Sequence, residues 1–367
     1  MEEKFYKSRK VFIGGQKNIK RIAVGGGENI AVQTMWKEGI KDVHSNDKKL
    51  SEIIKKIELL QSLGCDILRF AVPDSESAAS LVKIQENTSL PLVADIHFDY
   101  RLALECLKGN VAAIRINPGN IGSIENVKKV VDACREKGSA IRIGVNSGSL
   151  PKDLAEKVQN KTLSRSDALV ETALREVQVF DELNFDQVVV SMKASSVEET
   201  ILSNEAFAKK CDIPLHIGVT EAGPLIFGIV KSTLAFSKLL KEGIGDTIRV
   251  SLSSSMENEV ITGREILHEC GLKSGGISIV SCPRCGREGF DVHGFVERWQ
   301  NKLLSMDKNI TVAVMGCVVN GPGEGKHADL GIAGAGSKAI IFKKGQIIRT
   351  IDAKDADKVF EEEINSL

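Results

Sequence analysis

The sequence predicts an α/β fold: a TIM-like (β/α)8 barrel over residues 1–268, followed by a smaller α+β domain over residues 269–367. Three observations predict it. Short runs rich in β-branched residues alternate eight times with amphipathic helical stretches, the signature of a parallel sheet. These units occupy about 250 residues, the usual extent of a closed barrel, with an open doubly wound sheet as the rival architecture. Past residue 270 the alternation gives way to closely spaced strands and two helices.

Ahead of the first core strand lies VFIGGQKNIKRIAVGGGENI, where apolar residues alternate around two glycine clusters. GGGEN suggests a phosphate loop, but no Gly-Lys-Ser/Thr follows. The segment therefore reads as a β-hairpin with an ordinary turn, expected to close the bottom of the barrel. The eight core strands read IAVQTM, CDILRFAV, LPLVADI, VAAIRIN, SAIRIGVN, DQVVVSMK, PLHIGVT and GDTIRVSL. Between the first two, DKKLSEIIKKIELLQSLG repeats Leu50, Ile53, Ile54, Ile57 and Leu60 at helical spacing and stops at Gly64. Between the fifth and sixth, SRSDALVETALREVQVFDEL starts on serines and carries Leu169, Ala173, Val177 and Phe180 on one face. In the C-terminal part ISIVSC, NITVAVMGC, KAIIFKK and QIIRTI read as strands, with Gly345 in the turn between the last two. FVERWQNKLLSM and AKDADKVFEEEINSL read as helices.

Forty-nine basic residues balance forty-nine acidic ones, so the whole chain has no electrostatic footprint for nucleic acid or an anionic membrane. The opening MEEKFYKSRK lacks the apolar core of a secretory signal, and no apolar run reaches the ~18–20 residues that span a bilayer. A soluble, cytoplasmic protein is expected. Of eight cysteines, Cys65, Cys106, Cys134 and Cys211 stand singly in apolar or helical patterns and read as small buried hydrophobes. No disulfide framework is expected.

Four strands carry nearly the same phrase: LRFAV, IRINP, IRIGV and IRVSL. They set Arg69, Arg115, Arg142 and Arg249 among bulky apolar neighbours, and Lys193 in VVVSMK adds a fifth cation. A charge inside a core strand costs several kcal/mol unless it is paired. A private carboxylate would account for any one of them. Four repeats at equivalent positions point instead to a shared anion at the face where barrel strands end. Guanidinium forks match phosphate, so the expected ligand is a small polyanion, a diphosphate. Asp95, His97, Asn117, Asn146, Ser191, His216, Thr220, Glu221 and Ser251 fall at the same strand ends.

Near the C-terminus, SCPRCGREGF and VAVMGCVVNGPGEGKHADLG bring three cysteines at ligand spacing, Cys282, Cys285 and Cys317. Zinc would need a fourth ligand, for which Cys270 or His327 could be recruited. An iron–sulfur cluster fits better, because the glycines after Cys317 allow backbone N–H groups near sulfide and the same segment holds one carboxylate, Glu324. A carboxylate is displaced from iron more readily than a thiolate, so three cysteines plus Glu324 would hold a 4Fe–4S cluster with one exchangeable iron. Glu324 as an ordinary loop charge is the other reading.

Taken together, VADIHFDYRLAL, RINPGN, RIGVNSGSL, PLHIGVTEAG, GIGDTIRVSL, SCPRCGR and VAVMGCVVNGPGE resemble the bacterial 4-hydroxy-3-methylbut-2-enyl diphosphate synthases of the non-mevalonate isoprenoid route. The resemblance implies a TIM-like barrel and a cluster domain related to sulfite reductase halves. It also implies a homodimer in which the cluster domain of one subunit covers the barrel mouth of the other. The implied reaction opens 2-C-methyl-D-erythritol 2,4-cyclodiphosphate and dehydroxylates it with two electrons from flavodoxin or ferredoxin. The implied cofactor is a 4Fe–4S cluster on Cys282, Cys285, Cys317 and Glu324. Arg115, Arg142, Arg249, Lys193, Asn146 and Ser251 fall to the diphosphate pocket, and Glu221 in TEAG to acid or base work in oxygen loss. Position at the strand ends adds Arg69, His97, Asn117 and His216 to the substrate set, and Glu324 joins Glu221 as a catalytic candidate. One departure stands out: where the family usually has a Thr-rich run after VQSM, this chain reads VQTMWKEGIKDV. Trp36 and Lys37 replace small hydroxyl residues, so Gln33, Thr34 and Met35 are left outside the expected site.

Overall fold

A computed structural model describes residues 7–148, 150–283, 290–317 and 321–367, with Pro322 and Glu324 described in the backbone only. The chain divides into two compact units, Met1–Lys273 and Ser274–Leu367. The helix Met256–Glu269 closes the first unit, and Gly271 just after it takes φ 69°.

The first unit opens with a hairpin of β1 (Val11–Ile13) and β2 (Ile22–Val24). Eight strands follow: β3 (Ala31–Met35), β4 (Ile67–Ala71), β5 (Leu92–Asp95), β6 (Ala113–Ile116), β7 (Ala140–Asn146), β8 (Val188–Lys193), β9 (His216–Ile217) and β10 (Thr247–Ile248). All pair in parallel in the order β8-β7-β6-β5-β4-β3-β10-β9. A parallel bridge between Val190 and Leu215, with Val190 N donating to Pro214 O at 2.9 Å, joins β8 to β9 and closes the barrel. The open-sheet rival is thereby excluded.

The strands are buried on both faces, as parallel strands inside a ring of helices must be; β5, β6 and β8 are buried at every position. The surrounding helices start on capping side chains. Asn46, Asp74, Ser164, Ser196 and Ser255 each accept from a backbone N–H of the first turn. In Asp47–Ser62 the buried face is Leu50, Ile53, Ile57 and Leu60, and in Arg165–Glu182 it includes Leu169, Ala173, Val177 and Phe180. No described helix is long and apolar enough to cross a membrane.

The hairpin does close one end of the barrel. Val11, Ile13, Ile19 and Val24 pack on Ala31, Ile67, Val93, Ala113, Ala140 and Val189, which lie at or near the first residues of their strands. GGGEN, however, is not the hairpin turn. That turn is formed by residues 14–20, where Gly15 N donates to Ile19 O, while GGGEN links β2 to β3. At Gly25, with φ 82°, a Cβ would lie 2.2 Å from Arg9 O, so close backbone approach explains the glycine.

The second unit is a five-stranded sheet in the order β11 (Ile277–Ser281), β12 (Ile310–Met315), β13 (Leu330–Ala335), β14 (Lys338–Lys343), β15 (Gln346–Asp352). The first two pairings are parallel and the last two antiparallel. Strand β13, LGIAGA, is absent from the sequence reading because its glycines mimic a loop. Packing requires one of them: a Cβ on Gly331 would meet the Phe342 ring at 2.1 Å. The helices Val292–Leu304 and Ala356–Asn365 cover the sheet through Phe295, Trp299 and Phe360, whose rings make edge contacts at 5.1 and 4.9 Å.

Candidate active site

Side chains of a strand alternate in direction, so residues two apart look the same way. Two positions beyond the apolar layer of Ala31, Ile67, Val93, Ala113 and Ala140, the same strands carry Gln33, Arg69, Asp95, Arg115 and Arg142. Strand β8 ends on Lys193, and Arg249 follows β10 directly. The interior layer nearest the C-terminal mouth, where aliphatic residues usually fill a barrel, is here charged.

Five cations therefore face two carboxylates. Asp95 accepts from Arg115 Nη1 at 3.2 Å and lies 3.7 Å from Arg69 Nε and 3.5 Å from His97 Nε2. Burial alone would raise the Asp95 carboxyl, but Arg69, His97 and Arg115 hold it well below the usual carboxylate range. Arg115 also donates to Gly144 O at 3.3 Å, and a Cβ at position 144 would sit 2.2 Å from Arg115 Nε, so the arginine dictates the glycine. Across the barrel, Arg142 Nη1 donates to Gln33 Oε1 at 2.7 Å, while its Nε and Nη2 have no partner. Burial, and then the fields of Arg69 and Arg115, pull the Arg142 pKa well below its ordinary value. Lys193 Nζ lies 3.1 Å from His216 Nε2, and His216 Nδ1 lies 2.7 Å from Thr247 Oγ1. Burial, followed by Arg249 and Arg69, drives Lys193 well below a normal ammonium pKa; burial and Lys193 do the same to His216, favouring neutral imidazole.

The second carboxylate, Glu259, comes from the helix Met256–Glu269 and was not anticipated. Its side chain is 0 % exposed; it accepts from Thr34 Oγ1 at 2.6 Å and Leu252 N at 3.0 Å, and pairs with Lys37 Nζ at 3.0 Å. Arg249 Nη2 is 3.9 Å away. Beside them opens a cavity of about 440 Å³ lined by Lys37, Thr220, Glu221, Arg249, Ser251 and Glu259, among others. Glu221 is exposed and holds φ 51°, a left-handed backbone uncommon outside glycine and often found at functional sites.

Arg69, Arg115, Arg142, Lys193 and Arg249 thus share one interior, with Ser251 and Glu221 on the cavity wall. Asn146 ends β7 beside Lys193 in register. His97 is 54 % exposed next to Asp95. Asn117 is buried and its Oδ1 caps the turn Pro118–Asn120, accepting from Gly119 N at 3.0 Å. His216 is enclosed and reaches the cations through Lys193. Trp36 turns into the core, stacked on Phe70 at 5.3 Å, whereas Lys37 reaches the cavity. Gln33 and Thr34, left out of the sequence reading, touch Arg142 and Glu259.

In the second unit, Cys282 and Cys317 follow the adjacent parallel strands β11 and β12, both as free, half-buried thiols. Gly316 N donates to Cys282 Sγ at 3.1 Å. Cys285 lies outside the described residues, and Glu324 ends the short helix Gly321–Glu324. Among the described residues no three potential metal ligands cluster. Two of the glycines after Cys317 have a packing reason: a Cβ on Gly321 would lie 2.6 Å from Ala333 Cβ, and one on Gly325 2.8 Å from the Phe342 ring.

Fold and site together define an α/β-barrel enzyme with its cavity at the C-terminal ends of the strands. The chain belongs to the GcpE family: the GcpE TIM-barrel domain matches residues 15–264 and the GcpE protein C-terminal domain residues 278–366. Its relatives include the 4-hydroxy-3-methylbut-2-en-1-yl diphosphate synthase (flavodoxin) of Treponema denticola, 55 % identical over 98 % of both chains. The proteins of that name from Treponema pallidum (54 %, over 99 % of this chain and 92 % of that one) and Clostridium acetobutylicum (46 %, 98 % and 99 %) are similar throughout. Among solved structures, 7,8-dihydropteroate synthase from Vibrio fischeri shares the barrel fold alone, with TM-score 0.50 and 12 % identity over 72 % of this chain and 97 % of that one.

Proposed function

We propose that this protein reductively opens 2-C-methyl-D-erythritol 2,4-cyclodiphosphate to 4-hydroxy-3-methylbut-2-en-1-yl diphosphate. Two electrons and two protons enter and one water leaves, so the reaction needs an anion site, a proton donor and an electron source. The name shared by the relatives supports the activity, and the word flavodoxin in it supports flavodoxin as donor. The observation that carries the anion site is the interior Arg142 guanidinium, whose Nε and Nη2 lack a partner until a ligand supplies one.

In this reading Arg69, Arg115, Arg142, Lys193 and Arg249 bind the diphosphate, assisted by Asn146 and Ser251. His216 holds the Lys193 ammonium from behind, and Asn117 shapes the loop after β6. His97 faces the incoming substrate above Asp95. Glu221, on the cavity wall, delivers the proton that departs with the oxygen.

Cys282, Cys285, Cys317 and Glu324 would hold a 4Fe–4S cluster. The donor set suits it: two free thiols at neighbouring strand ends, with the Gly316 N–H donating to Cys282 Sγ in the manner that tunes cluster thiolates. When bound, such a cluster supplies electrons one at a time and a Lewis-acidic iron. Free thiols suit the reducing cytoplasm, where we place the enzyme. The exposed row Ile226, Phe227, Val230 and Leu234 on the helix Leu225–Lys241 supports a homodimer.

Anaerobic purification followed by iron, sulfide and zinc analysis, then assay with the cyclodiphosphate and reduced flavodoxin, tests the proposal. Iron and sulfide with product formation are expected. Stoichiometric zinc, or an iron-loaded protein that never turns over, would overturn it.

A further inference from the structure

We infer that Lys37 is a positioning residue of the anion pocket: it neutralises the buried Glu259 and pins the Leu252–Ser254 turn, leaving Arg249 free for phosphate. This rests on reading the cation ring as a diphosphate site. Lys37 departs from the barrel just after β3, from a backbone held by the core stacking of Trp36 on Phe70 and by Trp36 N donating to Arg69 O at 2.8 Å. Its ammonium has three protons, and three acceptors surround it: Glu259 Oε1 at 3.0 Å, Leu252 O at 2.9 Å and Ser254 O. Lys37 lines the cavity, yet its hydrogen-bonding capacity is used by the protein itself.

Glu259 explains why. A carboxylate with no solvent contact must be compensated by a cation. Lys37 is in contact with it, whereas Arg249 Nη2 stands 3.9 Å off and Arg249 Nε has no partner. Arg69, the other cation whose field couples to Glu259, is paired with Asp95. Removing the Lys37 charge would leave Arg249 as the nearest counter-ion, drawing its guanidinium toward the helix and away from the cavity. It would also release the two carbonyls that shape the turn beside Ser251.

Titrating inorganic pyrophosphate into the full-length, anaerobically purified protein tests this by calorimetry. Lys37→Met should weaken binding about tenfold, and Lys37→Arg, which keeps the charge, should stay within about threefold of the parent. The double variant Lys37→Met, Glu259→Gln, with neither charge, should regain affinity to within about threefold, a rescue that loss of a direct phosphate contact would not permit. If Lys37→Met does not fold, the arginine and double variants carry the comparison. Undiminished binding by Lys37→Met, or a double variant as weak as the single one, would overturn the inference while leaving the ring intact. A parent protein that binds no pyrophosphate would overturn the diphosphate site and this inference with it.

Discussion

The two ends of the barrel are built from the same strands, one pleat apart. At the bottom, Ile67, Val93, Ala113 and Ala140 pack under the hairpin residues Val11, Ile13, Ile19 and Val24. Two residues later the same strands present Arg69, Asp95, Arg115 and Arg142. Burying an aliphatic side chain contributes about 1.5–3 kcal/mol, whereas a buried charge costs several kcal/mol unless it is paired. One end therefore stabilises the fold and the other draws on that stability to hold arginines with unpartnered N–H groups in the interior. Mutations at the two ends should separate stability from binding.

The widest separation should come from outside the barrel. Cys317→Ser should abolish turnover with reduced flavodoxin while pyrophosphate binding, read by calorimetry, stays at the parent level, because every residue of the proposed diphosphate set belongs to the first unit. At the apolar end, Ile13→Ala should destabilise the protein by about 2–4 kcal/mol in denaturant titration, with the affinity of the folded fraction unchanged. At the charged end the signs reverse. Arg142→Met should cost about 1.5–3 kcal/mol in pyrophosphate affinity, roughly tenfold to a hundredfold, yet leave the midpoint of unfolding equal or higher. If Arg142→Met lowers stability as much as Ile13→Ala, the contrast between the ends fails.

A gentler test uses pH. The Lys193 pKa is driven down first by burial and then by Arg249, Arg69 and Arg142, and an anion would raise it again. Between the free and bound pKa values, binding takes up a proton. Affinity should therefore be flat at low pH and fall as pH rises through that window, by at most tenfold per unit. Calorimetry in buffers of different ionisation enthalpy should show net proton uptake, and Lys193→Met should remove it.

Much of this was legible in the chain itself. Strand alternation and helical spacing are local patterns, and all eight barrel strands formed where the β-branched runs stood. The arginine phrases raised the expectation of a shared anion because each repeats the same violation of core chemistry, and the structure gathers those cations in one interior. What stayed hidden had ordinary local meanings. Glu259 lies in the acidic first turn of a helix, where carboxylates are commonplace, and only its complete burial sets it apart. Strand β13 reads as a glycine loop until Phe342 is seen lying over Gly331. Gln33 and Thr34 immediately precede the departure from the family pattern at Trp36 and Lys37, and that departure argued for leaving them out.

By itself the sequence determined the barrel, the hairpin plug, the cations and the spacing of the thiols, because each follows from periodicity or residue chemistry within a short window. Only the tertiary structure decided the partners. Arg142 meets Gln33 across 109 positions of chain, and Thr34 meets Glu259 across 225. Closure of the ring sets those distances, and with them which charged groups the protein compensates and which, such as Arg142 Nε and Nη2, it leaves without a partner.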